Sequence, residues 1–133
     1  MSEIRATTIS DAAGTGPITL TKQSAAKAWA RFDMISDTVN GSLNIGNIID
    51  NGTGDFTLEF TNDMASENYA HVGSATWLAG AASALPTSTL KDGSPSYATA
   101  SNFRGEAFFV NSTSNRTNFD YDYITATIHG DLA

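Results

Sequence analysis

The sequence predicts an all-β protein: an antiparallel β-sandwich of about seven to nine strands behind an N-terminal arm. Three observations lead there. Threonine, serine, asparagine and glycine fill much of the chain while only 16% of residues are charged, a balance that favours strands and turns over solvated helices. Segments of strand length alternate apolar and polar residues, most clearly Phe56-Thr57-Leu58-Glu59-Phe60. Glycine-, asparagine- and aspartate-rich stretches separate these segments, and no heptad or solenoid repeat interrupts them. At 133 residues the chain suits a single core, divided here into an arm or attachment segment, 1–24, and a sandwich domain, 25–133.

Glu3 to Ile9 alternates as a short arm strand, with Ile4 its first large apolar residue, and Asp11 to Pro17 reads as a loop. Ile18 to Thr21 suits a second short strand, and the alanines of Lys22 to Ala28 suit a helical turn. From Lys27 the alternation sets Lys27, Trp29 and Arg31 on one side and Ala28, Ala30 and Phe32 on the other, leaving Trp29 as core or subunit contact. Asn40-Gly41 signals a turn, followed by a strand in which Leu43 and Ile45 differ in parity from Ile48 across a bend at Gly46. In Asp50-Asn51-Gly52-Thr53-Gly54-Asp55 two glycines accept positive φ, so the chain reverses into Phe56, Leu58 and Phe60, which share a face and are predicted core.

A loop at Thr61 to Asn68 leads into Tyr69 to Gly73, Lys91 to Pro95 is a loop by composition, and Ala79 to Ala84 matches no pattern. Asn102 to Asn111 and Phe119 to Gly130 are expected to pair as a hairpin around Ser112 to Asn118. In the last strand Phe119, Tyr121 and Tyr123 have one parity and Ile124, Ala126 and Ile128 the other. Two apolar faces at different heights fit either an oligomer interface or a strand that changes layers within one sandwich.

Charge and composition narrow the function. Seven basic against 14 acidic residues leave a net charge of −7, which repels a polyanion, so nucleic acid is not an expected partner. The chain has no cysteine, which removes disulfides and thiol nucleophiles. The first residues lack the basic start and apolar run of a secretory signal and no window reaches the length of a membrane-spanning helix, so the expectation is synthesis in a cytoplasm without membrane attachment.

Motifs for chemistry are weak. His71 and His129 fall on separate strands outside any metal-binding pattern and read as surface or interface histidines. Asp50 and Asp55 bracket the glycine turn without the ligand spacing of a calcium loop, and turn capping explains them better. Asp120 and Asp122, two apart, would share a strand face as in glycoside hydrolysis, yet one alternating strand produces that spacing by chance. Gly14-Thr15-Gly16 and Gly52-Thr53-Gly54 lack the lysine of a phosphate loop. Three asparagine sequons need a secretory route to matter. Trp29, Trp77, Tyr97, Tyr121 and Tyr123 are candidates for a sugar-stacking platform, against the commoner role of aromatics in packing. No catalytic residue, cofactor or metal ligand is expected.

Lys27-Ala28-Trp29, Asp50-Asn51-Gly52-Thr53-Gly54-Asp55-Phe56-Thr57, Met64 and Tyr69-Ala70 together resemble a domain found repeatedly in tail-fibre and other structural proteins of tailed bacteriophages, particularly marine ones. The resemblance covers about residues 1–75, with a looser echo in Tyr123 to Gly130; after the tryptophan and one alanine, Arg31 stands where that family has an asparagine-like residue. It implies a non-enzymatic structural protein on the virion exterior, made in the host bacterial cytoplasm and released by lysis. As a tail fibre or tail-tip component it would form a homotrimer, bind other virion proteins through its arm and contact a host surface glycan. Two alternatives are a capsid decoration protein of the cement or head-fibre kind and a carbohydrate-binding module. The candidate interface residues are Ile4, Trp29, Tyr121, Tyr123 and Ile128.

Overall fold

The computed structural model describes residues 26–77, 86–90, 97–110 and 115–133, with backbone alone for 86–90. Ile4, the whole arm and the stretch Ala79 to Ala84 lie outside the described residues. The strands are β1 (Ala28–Asp33), β2 (Thr38–Leu43), β3 (Ile45–Gly52), β4 (Asp55–Phe60), β5 (Ala70–Thr76), β6 (Pro86–Leu90), β7 (Asn102–Val110), β8 (Arg116–Asn118) and β9 (Tyr123–His129). They form two antiparallel sheets, one ordered β2-β1-β9-β5 and one ordered β3-β4-β7-β6 with β8 also on β7. The all-β sandwich read from the sequence is therefore the architecture.

The core lies where the alternation placed it. Ala28, Ala30 and Phe32 of β1 and Ile124, Ala126 and Ile128 of β9 face Phe56, Leu58 and Phe60 of β4 and Phe103 and Ala107 of β7, all buried. Ala30 stands opposite Ala126, and these small residues leave room for the large rings of the facing sheet. Phe32 meets Phe56 across the layers edge to face, with centroids 5.0 Å apart. Tyr69, at the entry to β5, joins the layers at one end: its hydroxyl donates to the carbonyl of Asn102 at 2.8 Å and burial pushes its pKa up to about 12.

Three expectations are corrected. The turn between β1 and β2 is Met34 to Asp37, not Asn40-Gly41. Asp33 accepts hydrogen bonds from the amides of Ile35 (2.7 Å) and Ser36 (3.0 Å), which bends the chain earlier, and Asp37 takes a φ of 52°. Partial burial pushes the Asp33 carboxyl up, but bonds from the Ser36 side chain and the two amides outweigh it and hold it below the usual value. Asn40 is instead the extra residue of a bulge, since Gly41 pairs with Arg31 and Val39 with Phe32.

Second, Leu43 and Ile45 do not share a strand. Asn44, at a φ of 56°, carries the chain from one sheet to the other, and its side-chain amide is tied to Asn62 at 2.8 and 3.0 Å. The bend at Gly46 is present as a register shift between Ile45 and Asn47.

Third, the last two long strands do not pair. β7 lies between β4 and β6, β9 lies between β1 and β5, and the hairpin partner of β7 is β8, from the segment read as a turn. Residues 119–122 cross from one layer to the other. Tyr121 is 2% exposed within that crossing, and its carbonyl accepts the Met34 amide. The two apolar parities thus record a change of layer. Tyr121 and Ile128 are core residues of one subunit, sealed from any partner, and leave the set of interface candidates.

Candidate functional site

The glycine turn is a structural junction. The Gly52 amide donates to Asp50 Oδ1 at 2.7 Å, and Asn51 Nδ2 donates to Thr57 Oγ1 at 2.9 Å. Gly54 is buried beneath the crossing segment: its amide donates to Asp120 Oδ1 at 2.7 Å, its carbonyl accepts the Ala107 amide at 2.7 Å, and the Ala107 carbonyl in turn accepts the Phe119 amide. Asp120 therefore caps a distant turn, and since residues 119–122 are not a strand, it shares no strand face with Asp122.

Asp55 stands in register opposite Glu106, two buried carboxylates on the outer side of the five-stranded sheet. Like charges so placed repel. Each is matched by an arginine: Arg104 grips both oxygens of Asp55 at 2.9 and 2.8 Å, and Arg116 pairs with Glu106. The Asp55 hydrogen bonds raise the Arg104 pKa above its ordinary value. Arg104 also lies over Tyr97 and Arg116 over Phe108, at 5.2 and 4.1 Å from the ring centroids. This array holds β4, β7 and β8 together, and both Asp55 oxygens are committed to it.

His71 and His129 lie on adjacent strands but opposite faces. His71 is in register with buried Ile128 and packs on Phe103 at 4.9 Å, while His129, one position along β9, points the other way. Burial lowers the His71 pKa, so the folded chain favours the neutral ring and binds fewer protons than the unfolded chain. Its stabilising contribution is complete above the unfolded value of about 6.5 and is lost as pH falls through the lowered folded value. The melting temperature should therefore drop between about pH 7 and pH 5, and His71→Phe should flatten that part of the curve. An unchanged slope in the variant would remove His71 as the cause.

The five aromatics do not make one platform. Trp77 packs on Phe119 at 5.0 Å, Tyr97 lies against Arg104, and Tyr121 is core. Trp29 and Tyr123 alone share a surface, the outer face of the four-stranded sheet. There the register aligns Leu43, Trp29, Thr127 and Val72 in one row across all four strands. Leu43 is 49% exposed, Val72 is 63% exposed, and the Trp29 ring extends over Gly41, where an added Cβ would stand 3.2 Å from it. The next row is Gly41, Arg31, Thr125 and Ser74, with the Arg31 guanidinium 4.2 Å above the Tyr123 ring centroid. This face is part apolar and part hydroxyl-bearing. Sequence reading found Trp29 and Tyr123 and set Arg31 on the side of Trp29, but it grouped Leu43 with Ile45 and gave Val72 no face; the strand register alone turns both outward.

A second feature is a groove of about 400 Å³ between β3 and the β1–β2 turn. Phe32, Met34, Val39, Ile48, Ile49 and Phe56 form its apolar lining and Asp33, Asp37 and Asp50 are its ionisable groups. Compared with protein-family models, curated proteins and solved structures, the chain shows no match.

Proposed function

We propose that this chain is a non-enzymatic structural protein of the exterior of a tailed-phage virion, a tail-fibre or tail-tip component that associates with itself as a homotrimer. The observation that carries the reading is the apolar row Leu43-Trp29-Val72 across an open sheet face, joined to the sequence resemblance of the Lys27 to Thr57 region. Side chains of that size at that exposure suit a covered interface better than open water. Within this proposal Trp29 and Tyr123 are contact residues, whereas the Asp50 to Asp55 turn is structural.

Immunogold labelling of particles with an antibody to the chain tests the location. Tail label is expected; head label replaces the proposal with a capsid decoration protein, and bare particles overturn the virion reading. Self-association is read separately by sedimentation. Val72→Lys is expected to shift a trimer toward monomer, and a wild-type chain that stays monomeric at micromolar concentration removes the trimer. The carbohydrate-binding reading is favoured by one observation, the half-buried Trp29 indole on the outer face beside Thr125, Thr127 and the Arg31–Tyr123 stack. Saturable glycan binding that Trp29→Ala abolishes would establish it.

A further inference from the structure

The two long edges of the sandwich differ. On one side β5 and β6 run close together and close the layers. On the other, β2 and β3 are both terminal strands of their sheets, and no described strand pairs with their outer edges. The groove opens there, and two residues record the opening. Val39 pairs with buried Phe32 and Ile48 pairs with buried Leu58, so both belong to the inner face, yet Val39 is 50% exposed and Ile48 is only partly buried.

The edges are not equivalent templates for a further strand. β2 carries its bulge at Asn40, which disrupts regular pairing. β3 has register shifts at Gly46 and after Asp50, and between them Asn47, Ile48, Ile49 and Asp50 form a regular run. Those four residues line the groove. A segment laid along this run would have backbone groups to bond with and, at every second residue, an apolar floor to fill. The volume of about 400 Å³ falls within the roughly 300–1,000 Å³ of ligand pockets.

Charge selects among occupants. All ionisable groups of the lining are carboxylates, Asp33, Asp37 and Asp50, in a chain of net charge −7. We propose that the β3 edge is a docking site for an extended segment of a partner protein that carries aliphatic and lysine or arginine residues in turn on one face, at every second position. The aliphatic side chains enter between the layers beside Ile48, and the basic ones, on the same face of the segment, meet Asp50, which shares the inward parity of Ile48, and Asp33 and Asp37 across the groove. This inference is independent of where on a particle, or whether on one, the chain resides.

The test is a ¹⁵N chemical-shift titration of the full chain with two blocked octapeptides, one with valine and lysine in turn at every second position and threonine between them, and one with glutamate in place of each lysine. The lysine peptide is expected to move the amides of Val39 and Asn47 to Asp50, and to bind at least about tenfold more tightly than the glutamate peptide, or 1.4 kcal/mol. Asp37→Asn should weaken it several-fold without disturbing the fold, because asparagine also tolerates positive φ. Ile48→Arg should abolish it, and the unperturbed spectrum of that variant reports whether it still folds. Equal affinity for both peptides, shifts centred on Trp29 and Val72, or no shifts, as when a second copy or the chain's own residues fill the groove, each overturn the proposal.

Discussion

Gly54→Ala is expected to remove more than about 4 kcal/mol of stability, a large share of the roughly 5–15 kcal/mol that holds a typical domain folded. Two costs combine. Gly54 has a φ of 67°, where a residue with a Cβ loses about 1–2 kcal/mol. The larger cost is steric, because the new Cβ would overlap the Ala107 carbonyl and stand 2.7 Å from the Phe119 amide nitrogen. Both obstacles are backbone, and both belong to the hydrogen-bonded junction that holds the crossing segment over the turn. Neither can rotate away. Gly52→Ala is the control, since Gly52 also has positive φ, 124°, but its added Cβ would meet nothing within 4 Å. Thermal melts followed by circular dichroism should show a far larger loss for Gly54→Ala. Equal, small losses would mean that the crossing segment does not rest on the turn.

Arg104→Met should cost about 3 kcal/mol, through what it leaves behind. Asp55, with a side chain 9% exposed, would lose both charge-assisted hydrogen bonds while still facing Glu106 across the strand pair. A buried carboxylate that loses such bonds costs more than the pair ever contributed. Removing the charge that Arg104 no longer grips should therefore restore stability: the double variant Arg104→Met with Asp55→Asn is expected to be more stable than Arg104→Met alone. Urea denaturation of the wild type, both single variants and the double variant gives the coupling directly. Additive losses would show that the two side chains do not stabilise each other.

Some of this was legible along the chain because it is local. A strand turns successive side chains to opposite faces, so the parity of Ala28, Ala30 and Phe32, and of Phe56, Leu58 and Phe60, revealed inward positions without knowledge of any partner. Gly52 and Gly54 marked a reversal because few other residues accept their backbone angles. Where two local signals competed, parity and composition did not rank them. Asn40-Gly41 looked like the turn, but the Asp33 carboxylate bent the chain first and left Asn40 in a bulge.

Pairing between distant strands was not legible. Read as consecutive strands and similarly apolar, β7 and β9 looked like a hairpin, and their assignment to different sheets depends on β1, β4, β5 and β6 claiming their edges. Tyr121 shows the same limit at one residue, since apolar character suits a core and an interface equally and only the crossing of layers buries it. The candidate surfaces share this origin. Leu43, Trp29 and Val72 are far apart in the chain and become one row through the register of four strands, and the groove exists because β2 and β3 end their sheets. Composition, alternation and turn chemistry determined that this protein is a sandwich and which side chains face inward, because each depends on a residue and its immediate neighbours. Strand order and register, which depend on how every edge is satisfied at once, decided what remains open to a partner.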